Sequence, residues 1–81
     1  MPNRPRPDES LAATLRKMRE ERDESQETLA RRSGISAGSL ARIELGQASP
    51  AWATVRQIAR ALNVSMRELG AVVESTDARL S

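Results

Sequence analysis

Gly34 and Ser36, one residue apart, constrain this chain more than any other feature of its sequence. Gly34 follows the run Glu27–Ser33 and is the residue type best able to take the left-handed conformation that closes a helix. Ser36 can cap a new helix by accepting a backbone N–H bond in its first turn, and that helix can run to about Leu45 before Gly46 stops it. With only Ile35 between a helix end and a helix start, the two segments must cross steeply. Ala30, four residues before Gly34, is small enough to permit close approach. Leu40 and Ile43, at i and i+3, face inward from the second segment.

Eighty-one residues make one small domain with a limited apolar core, and leave no room for a separate ligand-binding domain. The chain has no Cys and no His, which removes disulfides, the commonest zinc ligands, thiol nucleophiles and the usual acid/base residue. Neither enzymatic chemistry nor a metal or cofactor is expected. No apolar run approaches a membrane span, and the opening MPNRPRPDES lacks the apolar centre of a secretory signal, so a soluble, cytoplasmic protein is expected.

The formal charge is only +2, although the pI is near 10.4 because twelve of the thirteen basic residues are arginine. The placement of charge therefore matters more than its total. Residues 9–24 carry four basic and five acidic side chains, whereas residues 51–70 carry three basic and one acidic.

Gln26, Ala30, Gly34, Ser36, Leu40, Ile43, Glu44, Gly46 and Pro50 together give the stretch QETLARRSGISAGSLARIELGQASP a pattern that closely resembles the lambda-repressor and Cro-like (XRE-type) helix-turn-helix family. The resemblance extends from about Leu15 to Leu69 and rests on many positions at fixed offsets. It implies an all-α, compact five-helix domain whose second and third helices form a DNA-binding helix-turn-helix. It also implies a transcription regulator that binds double-stranded DNA as a homodimer on a two-fold operator, with residues 36–45 as recognition helix. A module of the same fold whose main partner is a protein, as an adaptor or antitoxin, is the alternative.

The organisation that follows is a flexible N-terminal arm over residues 1–8, a helix-turn-helix domain over 9–74 and a short C-terminal tail over 75–81. The arm carries Arg4 and Arg6 among three prolines and could contact DNA. Asp8 or Ser10 can cap the first helix, whose Leu11, Leu15 and Met18 form one stripe at i, i+4, i+7. From the resemblance, Arg19 on this helix pairs with Glu44 and ties the first helix to the recognition helix. Gln26 begins the second helix, where free N–H groups favour an anion, and its place beside the motif favours a phosphate or base contact over a merely solvated side chain.

On the recognition helix, Ala37, Gly38 and Ser39 are the expected outward residues near the start, with Arg42 one turn on. Arg42 can hold O6 and N7 of a guanine in a bidentate contact; Ala37 can meet a thymine methyl, Ser39 a base edge or phosphate, and Gly38 permits close approach. Relatives often carry longer polar side chains here, so DNA shape is expected to share in specificity. In the following loop, Gln47 and Ser49 are candidate phosphate contacts. Trp52, Val55, Ile58, Ala59 and Leu62 give a fourth helix one apolar face, which predicts a Trp52 buried in the core, with a dimer contact as the alternative. Ser65 and Glu68 form a capping box for a fifth helix, whose Val72 and Val73 edge is expected to need cover from a second copy, and the polar tail is expected to fray.

Overall fold

The computed structural model describes residues 7–80, which form five helices: α1 (Pro7–Glu21), α2 (Gln26–Ser33), α3 (Ala37–Glu44), α4 (Trp52–Ala61) and α5 (Met66–Leu80). The proposed contribution of Arg4 and Arg6 lies outside the described residues. Among those described there is no strand, and no helix is long and apolar enough to cross a membrane.

Local signals set most of the helix ends. Ser25 accepts a bond from the Thr28 backbone N–H at 3.1 Å to start α2, and Ser36 accepts from Ser39 N–H at 3.0 Å to start α3. Gly34 closes α2 at φ +76, its N–H bonding to the α2 carbonyls, and Ile35 N–H reaches the Ala30 carbonyl at 3.0 Å. A Cβ at Gly34 would meet nothing closer than 3.8 Å, so the demand for glycine is conformational and not steric. Gly34→Ala should therefore cost only about 1–2 kcal/mol, the penalty of a left-handed residue with a side chain, measurable by urea denaturation. Ser65 and Glu68 cap α5 reciprocally, with Glu68 N–H to Ser65 Oγ at 3.0 Å and Ser65 N–H to Glu68 Oε1 at 3.2 Å.

The core is where the five apolar stripes converge: Leu15 of α1, Leu29 of α2, Leu40 of α3, Ile58 of α4 with Leu62 beyond it, and Leu69 of α5 are all essentially inaccessible. Ala30, also buried, allows α2 and α3 to meet behind the Gly34 corner. α1 packs on α3 and α5, and α2 on α3 and α4, so α3 is backed by two helices and its opposite side is left to solvent.

Several expectations are corrected. Ser10 is not a cap: it lies inside α1, and its hydroxyl donates to Asp77 Oδ1 at 2.7 Å. Residues 75–80 are not a frayed tail but the last turns of α5, because Thr76 is buried and receives the Thr14 hydroxyl at 3.1 Å, one turn along α1 from the Ser10 contact. Val72 and Val73 pack against the core and are half-buried, so part of this edge is exposed. Trp52, expected in the core, is 67 % exposed. It lies one turn before Val55, which at 9 % exposure already marks the margin of the buried face.

Candidate nucleic-acid interface

The candidate site is the solvent side of α3 with the start of α2 beside it. Ser36 fixes the leading end of α3: besides accepting from Ser39 N–H, its hydroxyl donates to Ser39 Oγ at 2.8 Å. The far end is fixed by Glu44, whose side chain is 1 % exposed. Arg19 grips that carboxylate with two parallel bonds, Nε to Oε2 at 2.8 Å and Nη2 to Oε1 at 3.0 Å, and Gln26 Nε2 donates to Oε1 at 2.9 Å. The remaining Arg19 nitrogen, Nη1, donates to the Glu24 carbonyl at 2.8 Å. One buried carboxylate thus joins the end of α1, the start of α2 and the last turn of α3. The hydrogen bond to Glu44 is the chief cause that raises the Arg19 guanidinium above its ordinary pKa, against the opposing effect of burial.

Gln26 is thereby tied into the frame, since one amide hydrogen is committed to the recognition helix and the side chain is half-buried. Ala37 is half-buried against the core instead of facing outward, and Ser39 is half-buried with its hydroxyl held by Ser36. Gly38 and Arg42 are exposed; a Cβ at Gly38 would meet no atom within 4 Å, and Arg42 has no carboxylate partner among the described residues. Gln47 and Ser49 are exposed in the loop after α3, where Gln47 N–H bonds back to the Arg42 carbonyl at 2.9 Å.

Two features went unread in the sequence. Leu45, 63 % exposed, continues the outward stripe of Gly38, Ala41 and Arg42 at helical spacing; an apolar residue directly before the terminating Gly46 was its only signal. Arg31, Arg32, Arg56 and Arg60 line an open groove of about 670 Å³ between the end of α2 and α4. Among the described residues only Arg32 of these is paired with a carboxylate, Glu24, so the groove carries unbalanced positive charge beside the Gly34 corner. The i, i+4 spacing of Arg56 and Arg60 off the apolar face of α4 could have revealed half of it.

The sequence profile of a family described as a helix-turn-helix domain matches residues 10–72. No curated protein gives a match. Among solved structures, the chain is similar to one of the clp gene regulator ClgR from Corynebacterium glutamicum, with a TM-score of 0.89 and 25 % identity over 94 % of this chain and 81 % of that one. A second structure of ClgR from C. glutamicum has a TM-score of 0.87 over 95 % of this chain and 99 % of that chain; at 23 % identity it shows the shared fold alone.

Proposed function

The chain belongs to the helix-turn-helix domain family, and from that membership we propose that it is a sequence-specific DNA-binding transcription regulator of the cytoplasm, acting as a homodimer on a two-fold operator. The observation that carries the reading is Arg42, an exposed guanidinium without a carboxylate partner among the described residues, on a helix capped at its leading end by Ser36 and tied at its far end to α1 and α2 through Glu44. A helix so held can present Arg42 to guanine O6 and N7 in the major groove with little ordering left to do on binding. The likeness to a protein described as a gene regulator supports the same conclusion.

In this reading the exposed Gly38 lets the backbone of α3 approach the base edges closely. Ser36 and Ser39 exchange one hydroxyl hydrogen bond and keep acceptor capacity toward base or phosphate, and Ala37 acts through packing at the rim of the groove. The start of α2 offers backbone N–H groups to a phosphate, oriented by the bond between Gln26 and Glu44. Gln47 and Ser49 touch the sugar-phosphate backbone past the end of α3. The arginine groove adds a positive field that speeds encounter and contributes little to sequence preference. Regulation is steric: occupancy of the operator blocks or recruits polymerase, and no bond is made or broken by the protein.

The test is a binding titration against salt with the wild-type chain and Arg42→Ala. Affinity should fall steeply and linearly on logarithmic axes as salt rises. Arg42→Ala should cost roughly 1–3 kcal/mol on the preferred site and relax preference at one base pair. Weak binding, indifferent to sequence, would contradict the regulator reading and favour the adaptor; an equal loss on every sequence would reassign Arg42 to a phosphate.

A further inference from the structure

Two arginines from the last turn of α2 and two from α4 line the groove beside the Gly34 corner, and among the described residues no carboxylate lines it. Basic residues near a helix C-terminus ordinarily offset the helix dipole, which accounts for Arg31, Arg32 and Arg60, each in a last turn. It does not account for Arg56, one turn earlier in α4, or for the size of the excess. The two helix ends contribute about half a negative charge each, and together with Glu24 they leave roughly two positive charges uncancelled. Glu27, one turn before Arg31, and Glu68, in a neighbouring recess that Arg56 and Arg60 also border, make no ion pair with any of the four.

A second observation comes from Ser33, the last residue of α2. It is 3 % exposed, it lines the same groove, and its hydroxyl has no hydrogen-bond partner among the described residues. An enclosed hydroxyl left unpaired is costly, and a serine at a helix end can ordinarily bond back to a carbonyl one turn earlier. Its place in the wall of the groove makes it a donor for a ligand there. Arg32 is the fixed part of the site: it donates to Glu24 Oε2 and, through Nη2, to the Ala61 carbonyl, so its guanidinium bridges α2 and the end of α4 and keeps donors to spare.

These features fit an anion with several oxygens. Guanidinium groups take phosphate oxygens in pairs of parallel bonds, and Ser33 and Gln57 add neutral donors. The groove, at about 670 Å³, exceeds a single phosphate and is lined by no aromatic side chain, so it selects charge spread along a short chain and not a ring. A duplex is the poorer source of those phosphates, because the walls are the last turn of α2 and α4, whereas the surface proposed to face DNA is α3 with the start of α2 and the loop after α3. We propose that this groove is a binding site for a free oligophosphate, held between Arg31 and Arg32 on α2 and Arg56 and Arg60 on α4. An occupied groove loses its positive field, so the ligand slows encounter with DNA. That consequence rests on the DNA-binding reading above; the site itself does not.

The experiment is calorimetric titration of the full chain with inorganic triphosphate at constant ionic strength, with a short polyglutamate peptide and a non-specific duplex as comparison probes. Triphosphate should saturate a single site per chain. Arg56→Ala and Arg60→Ala, both at exposed positions, should each weaken it by about tenfold or more, the factor for loss of a charge-assisted contact, with helical circular dichroism unchanged. Ser33→Ala should weaken it by a smaller factor while raising the unfolding temperature, since it removes an unpaired buried hydroxyl. Arg42→Ala, which removes an exposed arginine elsewhere, should leave triphosphate affinity unchanged. Absence of saturation, an equal loss in Arg42→Ala, or polyglutamate bound as tightly as triphosphate would overturn the proposal. Triphosphate that fails to saturate while Arg56→Ala lowers affinity for the duplex would assign the groove to the DNA backbone and overturn it too. Triphosphate bound by a chain without affinity for any DNA would leave the site standing and remove the regulator reading.

Discussion

Arg19→Ala should destabilise the domain by roughly 3–5 kcal/mol, the range for removing one partner of a buried pair, and more than Glu44→Ala does. The asymmetry follows from burial: the Glu44 side chain is 1 % exposed and the Arg19 side chain 13 %. Without Arg19, the carboxylate remains enclosed with a single bond from Gln26 Nε2. Without Glu44, the guanidinium keeps its bond to the Glu24 carbonyl and can turn toward water. The double replacement should cost clearly less than the sum of the two singles, and urea denaturation of the three variants reads the coupling directly. Equal single costs, or strict additivity, would show that the pair is no more than a surface contact.

The raised Arg19 pKa adds a pH statement whose sign is definite. A group whose folded pKa exceeds its unfolded value contributes fully below the unfolded value and loses that contribution as pH rises through the folded one. For a guanidinium that window lies in strong alkali, so neutral and mildly basic solutions leave the Arg19 side of the tie intact. A loss of stability between about pH 7 and 9 would have to come from another group.

Leu40→Ala should be the second large effect, roughly 2–5 kcal/mol, because the side chain is fully buried on the inner side of α3 and its loss leaves a cavity that α1 and α2 can only partly fill. Arg19→Ala loosens the far end of α3; Leu40→Ala loosens its middle. At a temperature where both variants remain folded, Leu40→Ala should weaken DNA binding even though its side chain touches no duplex, since a recognition helix that rocks must be ordered as it binds. Stability measured by denaturation and affinity measured on the selected site should therefore fall together, in contrast to Arg42→Ala, which should lower affinity alone.

The helix-turn-helix was legible because its determinants are local. Gly34 must be left-handed, Ser36 must cap, and both facts act within a few residues of where they are written. Glu44 and Arg19 are twenty-five residues apart, and only the family resemblance linked them; spacing and composition could not bring them together. The end of α5 was missed for a physical reason: hydropathy periodicity stops at Val73, while the packing of α5 on α1 continues through hydroxyl and carboxylate bonds at Thr76 and Asp77, to which such periodicity is blind. Trp52 shows the converse failure. Helical spacing places it beside the stripe of Val55, Ile58, Ala59 and Leu62, but spacing gives an angle around the axis and not how far along it the core extends. Ala37 erred in the same way, assigned outward by its position at the head of α3 although the Gly34 corner brings it against the core.

Enrichment of a random duplex library on the immobilised chain tests the central claim most directly, since the account makes α3 the part that reads the groove. It predicts a two-fold symmetric enriched site with half-site centres about 10–10.5 base pairs apart or a multiple of that spacing, and loss of one conserved position in each half when Arg42→Ala is used as bait. A library that stays random after successive rounds, or an enriched site unchanged by Arg42→Ala, would contradict it.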